Sequence, residues 1–534
     1  MTNSIRELEN AKVLLVIGSN TTEAHPVISY YMKRAVKKGA ILIVCDPRRI
    51  DLVRWATHHV QHRVGTDVAL LNGLMNEILS RGWEDRDFVE HHTENLDALQ
   101  EIVRQYPLKR VAKITGVPVP LLRKVARILG TNRPASLCYT LGITEHTCGT
   151  DNVVSCANLQ MLLGNLGKPS AGVNPLRGQN NVQGACDMGA LPNVFHNYQP
   201  VADPGVREKF EKGWGVARLP EAPGLRMPSM FSGMLDGRTR ALLCHGENVV
   251  MSEPHEAHTR RCLEALEFLV VLDIFHNETT PYADVILPCT CWTEQEGTFT
   301  NSERRVQRVR AVSRPPGKCR EPWWIYHELG SRLGVDMRFS SAHGVWEEMR
   351  SLATSYAGIT WERIEGDGIQ WPAPTVEHPG TAYLHRGGNF TRGKGRFQPA
   401  EWRPPAEVPD SEYPLTLTTG RRLWHYHTGT QTRNCAGFEE LFGEELLEIN
   451  PDDARALGVR ERDYVWVVSR RGRVRMRAWL TDRSPRGVLW SCFHFREANI
   501  NVVTNNAFDP VTETAEYKAC AVRVEPDVPP GAAR

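Results

Sequence analysis

The sequence predicts an α/β protein. Two related, doubly wound αβ nucleotide-binding domains are followed by a C-terminal β-barrel domain. Three observations carry this. AKVLLVIG (11–18) and AILIVC (40–45) are continuous apolar runs, as in strands buried on both faces, and a helical pattern lies between them. From Arg240 the same grammar restarts: RALLCHGENVV, then HEAHTRRCLEALEF, then LVVLDIF ending near Asp273. From Tyr413 the runs become alternating or β-branched, broken by Gly, Asp and Pro.

The first unit reads in order as strand, helix, strand. PVISYYMKRAVKKG has apolar residues at helical spacing, basic residues in its last turn and Gly39 to end it. The second strand ends in Asp46-Pro47-Arg48-Arg49. This makes a βαβ unit with a right-handed crossover. Asp46 stands where an acidic side chain meets a ribose hydroxyl in dinucleotide folds, but the glycine fingerprint G-x-G-x-x-G is absent. Gly65-Thr66-Asp67 opens another helix, whose N-terminus suits a phosphate or a guanine edge; a plain N-cap is the simpler reading of Asp67. Two or three helices follow over 95–128, then a strand near 135–141 and a helix over 150–166.

In the second unit, the first strand ends in Gly246-Glu247-Asn248 and the next near Asp273. ADVILPCTCW and EQEGTFTNSERRVQ continue it. For Arg304-Arg305 an internal ion-pair network is favoured over a ligand clamp. Residues 313–405 are rich in Pro, Gly and Trp and show one clear helix, WWIYHELGSRLG. The predicted domains are 1–179, 180–320, a connecting segment 321–410 and the barrel 411–534.

At 534 residues the chain is too long for one core. A net charge of +2 gives no case for nucleic acid or an acidic membrane surface. No run of 18 apolar residues exists to span a bilayer, and Met1–Asn10 lacks the features of a signal peptide. Thirteen Cys, scattered singly, favour reduced thiols and a cytoplasmic location. No C-x-x-C occurs, so no ligand set for an iron–sulfur cluster or a zinc ribbon is visible. His58, His59 and His62 cluster without an acidic or thiol partner nearby, and no metal site is assigned to them.

One stretch fits neither helix nor strand periodicity: Asn174–Ala190, NPLRGQNNVQGACDMGA. Its Asn, Gln and Gly residues suit the wrapping of a polar ligand, because Gly permits close backbone approach and amides offer both donors and acceptors. Arg177 is the charge at its entrance. A surface turn is the simpler reading of such a loop taken alone.

VIGSNTTEAHP, CDPRR, LGITEHTCGTDNV, GNLGKPSAGVNPLRGQNNVQGACDMGALP, ADVILP, EGTFTNSERRVQ and EYKACAVRVEP together resemble the molybdopterin oxidoreductases. Within them the resemblance is to formate dehydrogenase catalytic alpha subunits, and it runs the length of the chain. It implies a barrel of the double-psi type and a bis-molybdopterin guanine dinucleotide cofactor with Mo or W. Asn20, Glu23, Asp46, Arg48, Gly65 and Asp67 would hold one dinucleotide arm. Gly246, Glu247 and Asp273 would hold the other. Arg421, His425, Asn506 and Lys518 would come from the barrel cap, and Gln179 would touch a pterin. Arg177 would hold formate, with Leu141 and Glu145 on a second loop of the same pocket.

The resemblance further implies an N-terminal region that these 534 residues do not include. There the family carries four Cys for a 4Fe–4S cluster, an electron-relaying Lys, and a Sec or Cys metal ligand followed by His. The expected partners are formate and CO2, that N-terminal portion or subunit, and electron-transfer subunits. The isolated chain is expected to be inactive. A nitrate reductase-like activity and a non-catalytic cofactor-binding scaffold stand as alternatives.

Overall fold

A computed structural model describes residues 1–527; the end of the predicted barrel domain, 528–534, lies outside the described residues. The chain gathers into two compact units, each discontinuous in sequence. The first holds Met1–Leu176, Asn248–Arg260 and the described chain from Tyr383 onward. The second holds Arg177–Glu247 and Arg261–Ala382.

The core of the first unit is a five-stranded sheet in the order His58–Val60, Ile41–Cys45, Val13–Ile17, Ala135–Tyr139, Val173–Pro175. Every neighbour pair is parallel, with Val13 opposite both Ile41 and Ala135. The apolar runs behave as predicted: all five residues of Val13–Ile17 are buried, each worth about 1.5–3 kcal/mol against exposure. Helix Pro26–Lys37 starts on Pro26, where the missing N–H costs nothing, and buries Ile28, Met32 and Ala35. Helix Asp67–Arg81 is buried on nearly all sides and forms the centre of the helical layer. The predicted helices over 95–128 are three: Leu96–Val103, Leu108–Thr115 and Val119–Thr131. The helix predicted to run to 166 is Gly149–Leu162 and stops before Gly164, whose φ of +60° leaves the helical region.

The second unit contains a parallel sheet in the order Val285–Pro288, Phe268–Asp273, Ala241–His245. Beside it, Gly297–Thr300 and Arg305–Val309 form an antiparallel pair. The Arg304-Arg305 doublet makes internal contacts. Arg305 pairs with Glu303 at 2.8 Å and donates to Gly368 O at 3.1 Å, while Arg304 donates to the carbonyls of Trp371 and Thr381. The region read as having one helix has two long ones, Pro322–Arg332 and Ala342–Ser351. The second was not legible because Gly344 and five polar residues dilute its apolar face to Val345, Trp346 and Met349. Its start is marked by Ser341, whose Oγ accepts from Gly344 N at 3.2 Å.

The β-rich C-terminal region closes, as predicted, into a barrel. Its strand order is Leu415–Thr419, Val488–Ser491, Leu446–Ile449, Arg473–Leu480, Tyr464–Val468, Cys520–Pro526. Two pairs are parallel and the rest antiparallel. Closure leaves no open edge, and the interior is filled by Leu417, Leu447, Val465, Val467, Ala478, Leu489 and Val522.

Candidate cofactor and substrate site

In an open parallel sheet, ligands bind beyond the carboxyl ends of the strands where the winding reverses. Here the reversal lies between Val13–Ile17 and Ala135–Tyr139. Two glycines let the loops beyond these strands touch. Gly142 N donates to Gly18 O at 3.1 Å, and Thr140 Oγ1 donates to the same carbonyl at 2.7 Å. A Cβ on Gly142 would stand 2.5 Å from Gly18 O, and one on Gly18 would stand 2.7 Å from the Gly142 carbonyl carbon.

Around this point the first unit collects several predicted residues. Asn20 caps the short helix Thr21–Ala24, accepts from Thr22 Oγ1 at 3.3 Å, and its buried Nδ2 has no hydrogen-bond partner among the described residues. Asp46 closes strand Ile41–Cys45 and accepts from Arg48 N at 2.8 Å; burial pushes its carboxyl up. Leu141 begins a helical turn that ends at Glu145. Glu145 meets Lys518 at 2.6 Å, with both side chains 10% exposed, and Lys518 Nζ also donates to Thr419 O at 3.0 Å. This brings two predicted residues, one from the sheet and one from the barrel, into one ion pair. Gly65, at φ +71°, receives Trp402 Nε1 on its carbonyl at 2.9 Å.

Other predicted residues are tied into a charge network that the sequence did not reveal. Arg48 holds both carboxylate oxygens of Glu448 and lies over the Trp490 ring, 3.7 Å from its centroid. Glu23 pairs with Arg483, and Arg422 pairs with Glu445 at 2.8 Å. Asp67 is bonded by His62 Nε2 at 2.9 Å. Burial opposes a charged imidazole there, yet the carboxylate outweighs it: the His62 pKa is raised and that of Asp67 lowered. The histidine cluster therefore does have an acidic partner, five residues on.

On the barrel side, Arg421 lies over Phe493 at 4.2 Å and donates to Gly420 O at 3.0 Å. Two imidazoles face its charge. Burial and then Arg421 push His427 down to about 3 and depress His494 strongly, so both are neutral. His425 is anchored by Phe442 O at 2.6 Å and Thr432 Oγ1 at 3.2 Å, and Asn506 is exposed.

In the second unit, the part of this polar stretch from Arg177 to Ala190 is less irregular than expected, with a short helix at Val182–Asp187. Gln179 O accepts from Val182 N at 3.4 Å as that turn begins. Arg177 N donates to Ser302 Oγ at 3.1 Å, and its Nε donates to Gln183 Oε1 at 3.3 Å. Gly246, at φ +63°, donates its N–H to Leu272 O at 2.8 Å and so extends the pairing of two adjacent strands by one residue. Glu247 O accepts from Cys244 Sγ at 3.4 Å. Asp273 accepts from Ile274 N at 2.7 Å and Asn277 Nδ2 at 2.8 Å, and burial pushes its carboxyl up. A separate cavity of about 970 Å³ in this unit, walled by Phe299, Trp323 and Trp346, is lined by none of the predicted residues.

The donor chemistry of the first unit fits a phosphorylated, nucleotide-like group. Asn20 offers a buried N–H pair without a partner, Arg421 and Lys518 offer cations, and Asp46 offers acceptors where the sheet reverses. Such residues complement phosphate oxygens and ribose or base N–H and O–H groups.

The Molybdopterin oxidoreductase family profile matches residues 1–332, and the Molydopterin dinucleotide binding domain profile matches 415–521. The chain is 45% identical, over 98% of its length, to the F420-dependent formate dehydrogenase subunit alpha of Methanocaldococcus jannaschii, of which it covers 78%. It is 38% identical, over 98% of its length, to formate dehydrogenase H of Escherichia coli, of which it covers 74%. Acetylene hydratase from Pelobacter acetylenicus shares the fold, with a TM-score of 0.76 at 19% identity, covering 98% of this chain and 80% of that one. Among the described residues no helix is long and apolar enough to cross a membrane. The chain belongs to the molybdopterin oxidoreductase family and is an enzyme of the formate dehydrogenase alpha-subunit type.

Proposed function

We propose that the chain, within its assembled enzyme, serves the oxidation of formate, HCO2⁻ → CO2 + H⁺ + 2e⁻, or the reverse reaction, with a pair of molybdopterin guanine dinucleotides carrying Mo or W. The observation that carries this reading is identity of 38–45%, over 98% of the chain, to proteins whose names specify formate. When bound, the metal–pterin group supplies the two-electron acceptor. Asn20, Glu23, Asp46, Arg48, Gly65 and Asp67 would hold one dinucleotide; Gly246, Glu247 and Asp273 would hold the other. Arg421, His425, Asn506 and Lys518 would cap the cofactor, Gln179 would meet a pterin, and Leu141 and Glu145 would border the substrate.

Arg177 does the substrate work. A guanidinium stays charged at any working pH and matches a carboxylate at two oxygens, so it both binds and orients formate. The product is neutral and loses that ion pair, which favours its release. Electrons leave through partner subunits; the names of F420-dependent relatives favour coenzyme F420 as the eventual acceptor. Thirteen cysteines, none of them in a disulfide, favour a reducing, cytoplasmic location.

The test uses the assembled enzyme, with formate-dependent reduction and nitrate-dependent oxidation of a viologen dye measured side by side. Formate turnover that Arg177→Ala abolishes at unchanged metal content is the expected result. Nitrate turnover without formate turnover would overturn the reading.

A further inference from the structure

Asp187, the last residue of the short helix Val182–Asp187, is fully buried at 0% exposure. No cation pairs with it among the described residues. Four neutral donors converge on it instead. Gln183 Nε2 at 2.7 Å and Tyr198 OH at 2.9 Å bond Oδ1. Trp371 Nε1 at 2.7 Å and Tyr356 OH bond Oδ2. A buried carboxylate is costly unless its oxygens are satisfied, and here its own helix and three other segments of the unit supply the donors.

The consequence falls on Gln183. An amide can present either end to a neighbour. With Nε2 committed to Asp187, and also 3.0 Å from Tyr198 OH, the amide must turn Oε1 the other way. Oε1 accepts from Arg177 Nε at 3.3 Å. A flipped amide would set N–H donors against the guanidinium, which has no acceptor. Because the guanidinium is planar, engaging Nε constrains the direction of its terminal N–H groups.

We infer that Gln183 and Asp187 form a positioning relay for Arg177: the buried carboxylate fixes the polarity of the Gln183 amide, and that amide fixes the guanidinium plane for a one-carbon carboxylate. The relay rests on the reading of Arg177 as the formate clamp. Neither residue touches substrate. Their effect is on how well formate is held, more than on the rate once it is held.

The test is made on the assembled enzyme with Gln183→Leu, Asp187→Asn, Gln183→Glu and the pair Gln183→Glu/Asp187→Asn, at verified metal and pterin content. Gln183→Leu and Asp187→Asn are each expected to raise the formate KM by about tenfold or more while kcat falls less than about threefold. Line broadening of [13C]formate by the enzyme should weaken in parallel. Gln183→Glu sets two carboxylates together, and the paired variant restores a donor–acceptor contact, so its KM should recover to within about threefold of wild type. A structural role alone predicts no such recovery. If Asp187→Asn fails to assemble, Gln183→Leu decides, since it removes only the amide. A KM within about twofold of wild type in Gln183→Leu, or no recovery in the paired variant, overturns the relay. Undiminished formate turnover in Arg177→Ala overturns the clamp itself, and the relay with it.

Discussion

Arg48 and Glu448, separated by 400 positions, form a buried bidentate ion pair that ties the end of a sheet strand to the wall of the barrel. Their side chains are 5% and 0% exposed, and Trp490 covers the guanidinium face. Arg483 and Arg422 approach the same carboxylate at 3.9 and 3.8 Å. Removing Glu448 would leave buried cations facing one another without their shared anion. Glu448→Ala is expected to destabilise the first unit by about 3–5 kcal/mol, whereas loss of an exposed pair such as Arg49–Asp482 costs under about 1 kcal/mol. Denaturant unfolding of the two variants checks this; equal midpoints would refute it.

The His62–Asp67 pair sets a pH window. The His62 pKa is raised in the fold, so its contribution is complete below the unfolded imidazole value, about 6.5, and is lost as pH climbs through the folded value. The Asp67 pKa is lowered, so its contribution is complete above the unfolded carboxylate value, about 3.9, and is lost as pH falls through the folded value. The pair therefore contributes fully between about pH 4 and 6.5 and declines on both sides. His62→Gln keeps a donor to Asp67 but cannot charge. Its unfolding temperature, compared with wild type from pH 5 to 9, should lack the alkaline decline. An unchanged slope would show that other groups set it.

The two pairs differ in how they were written in the sequence. Glu448 is not singled out by the sequence: a single charge in the strand LLEI needs a partner once the strand is buried, but nothing in the local pattern says that it is. Its partner lies 400 residues earlier, beyond any local pattern. His62 reads in the sequence as one of three clustered histidines, and its partner Asp67, five residues on, reads as the N-cap of the next helix, so neither pattern points to the pair. Strands such as Val13–Ile17 were legible because burial on both faces leaves an unbroken apolar run. Arg177 was legible as a candidate because its loop, whose other charge is Asp187, resembles that of formate dehydrogenase alpha subunits. The four donors around Asp187 come from positions 183 to 371, so no window of sequence contains them.

Gly142 offers a test of the switch point that leaves every polar group in place. Its added methyl would stand 2.5 Å from Gly18 O and 2.6 Å from Gly18 Cα, both backbone atoms. Neither can swing aside as a side-chain end would. Gly142→Ala must separate the two loops, displacing Asn20 on one side and Leu141 on the other. The expected result is a folded protein whose pterin content, measured by fluorescence after release and oxidation, falls several-fold. Gly39→Ala is the control, since its Cβ would meet nothing within 4 Å, although its φ of +96° costs about 1 kcal/mol of strain. Full pterin occupancy in Gly142→Ala would remove the switch point from the cofactor site.

The Glu145–Lys518 pair is another place where residues of the sheet and barrel regions meet at the candidate site. Lys518 is held by Glu145 at 2.6 Å, by Thr419 O at 3.0 Å and, at the longer distance of 3.4 Å, by Thr419 Oγ1. Lys518→Met keeps the length of the stem and removes the charge, stranding a carboxylate that is 10% exposed. Glu145→Gln keeps the shape and leaves the ammonium without its counter-ion. If the pair only braces the fold, both variants lose stability and pterin content together. If the ammonium serves an anionic cofactor arm, Lys518→Met loses pterin while Glu145→Gln retains it, because a cation without its carboxylate still attracts phosphate. The second outcome is expected, by about tenfold in occupancy, for one charge-assisted contact in a shielded site. Pterin release assays and melting temperatures on the two variants separate the cases, and parallel losses in both would exclude the contact.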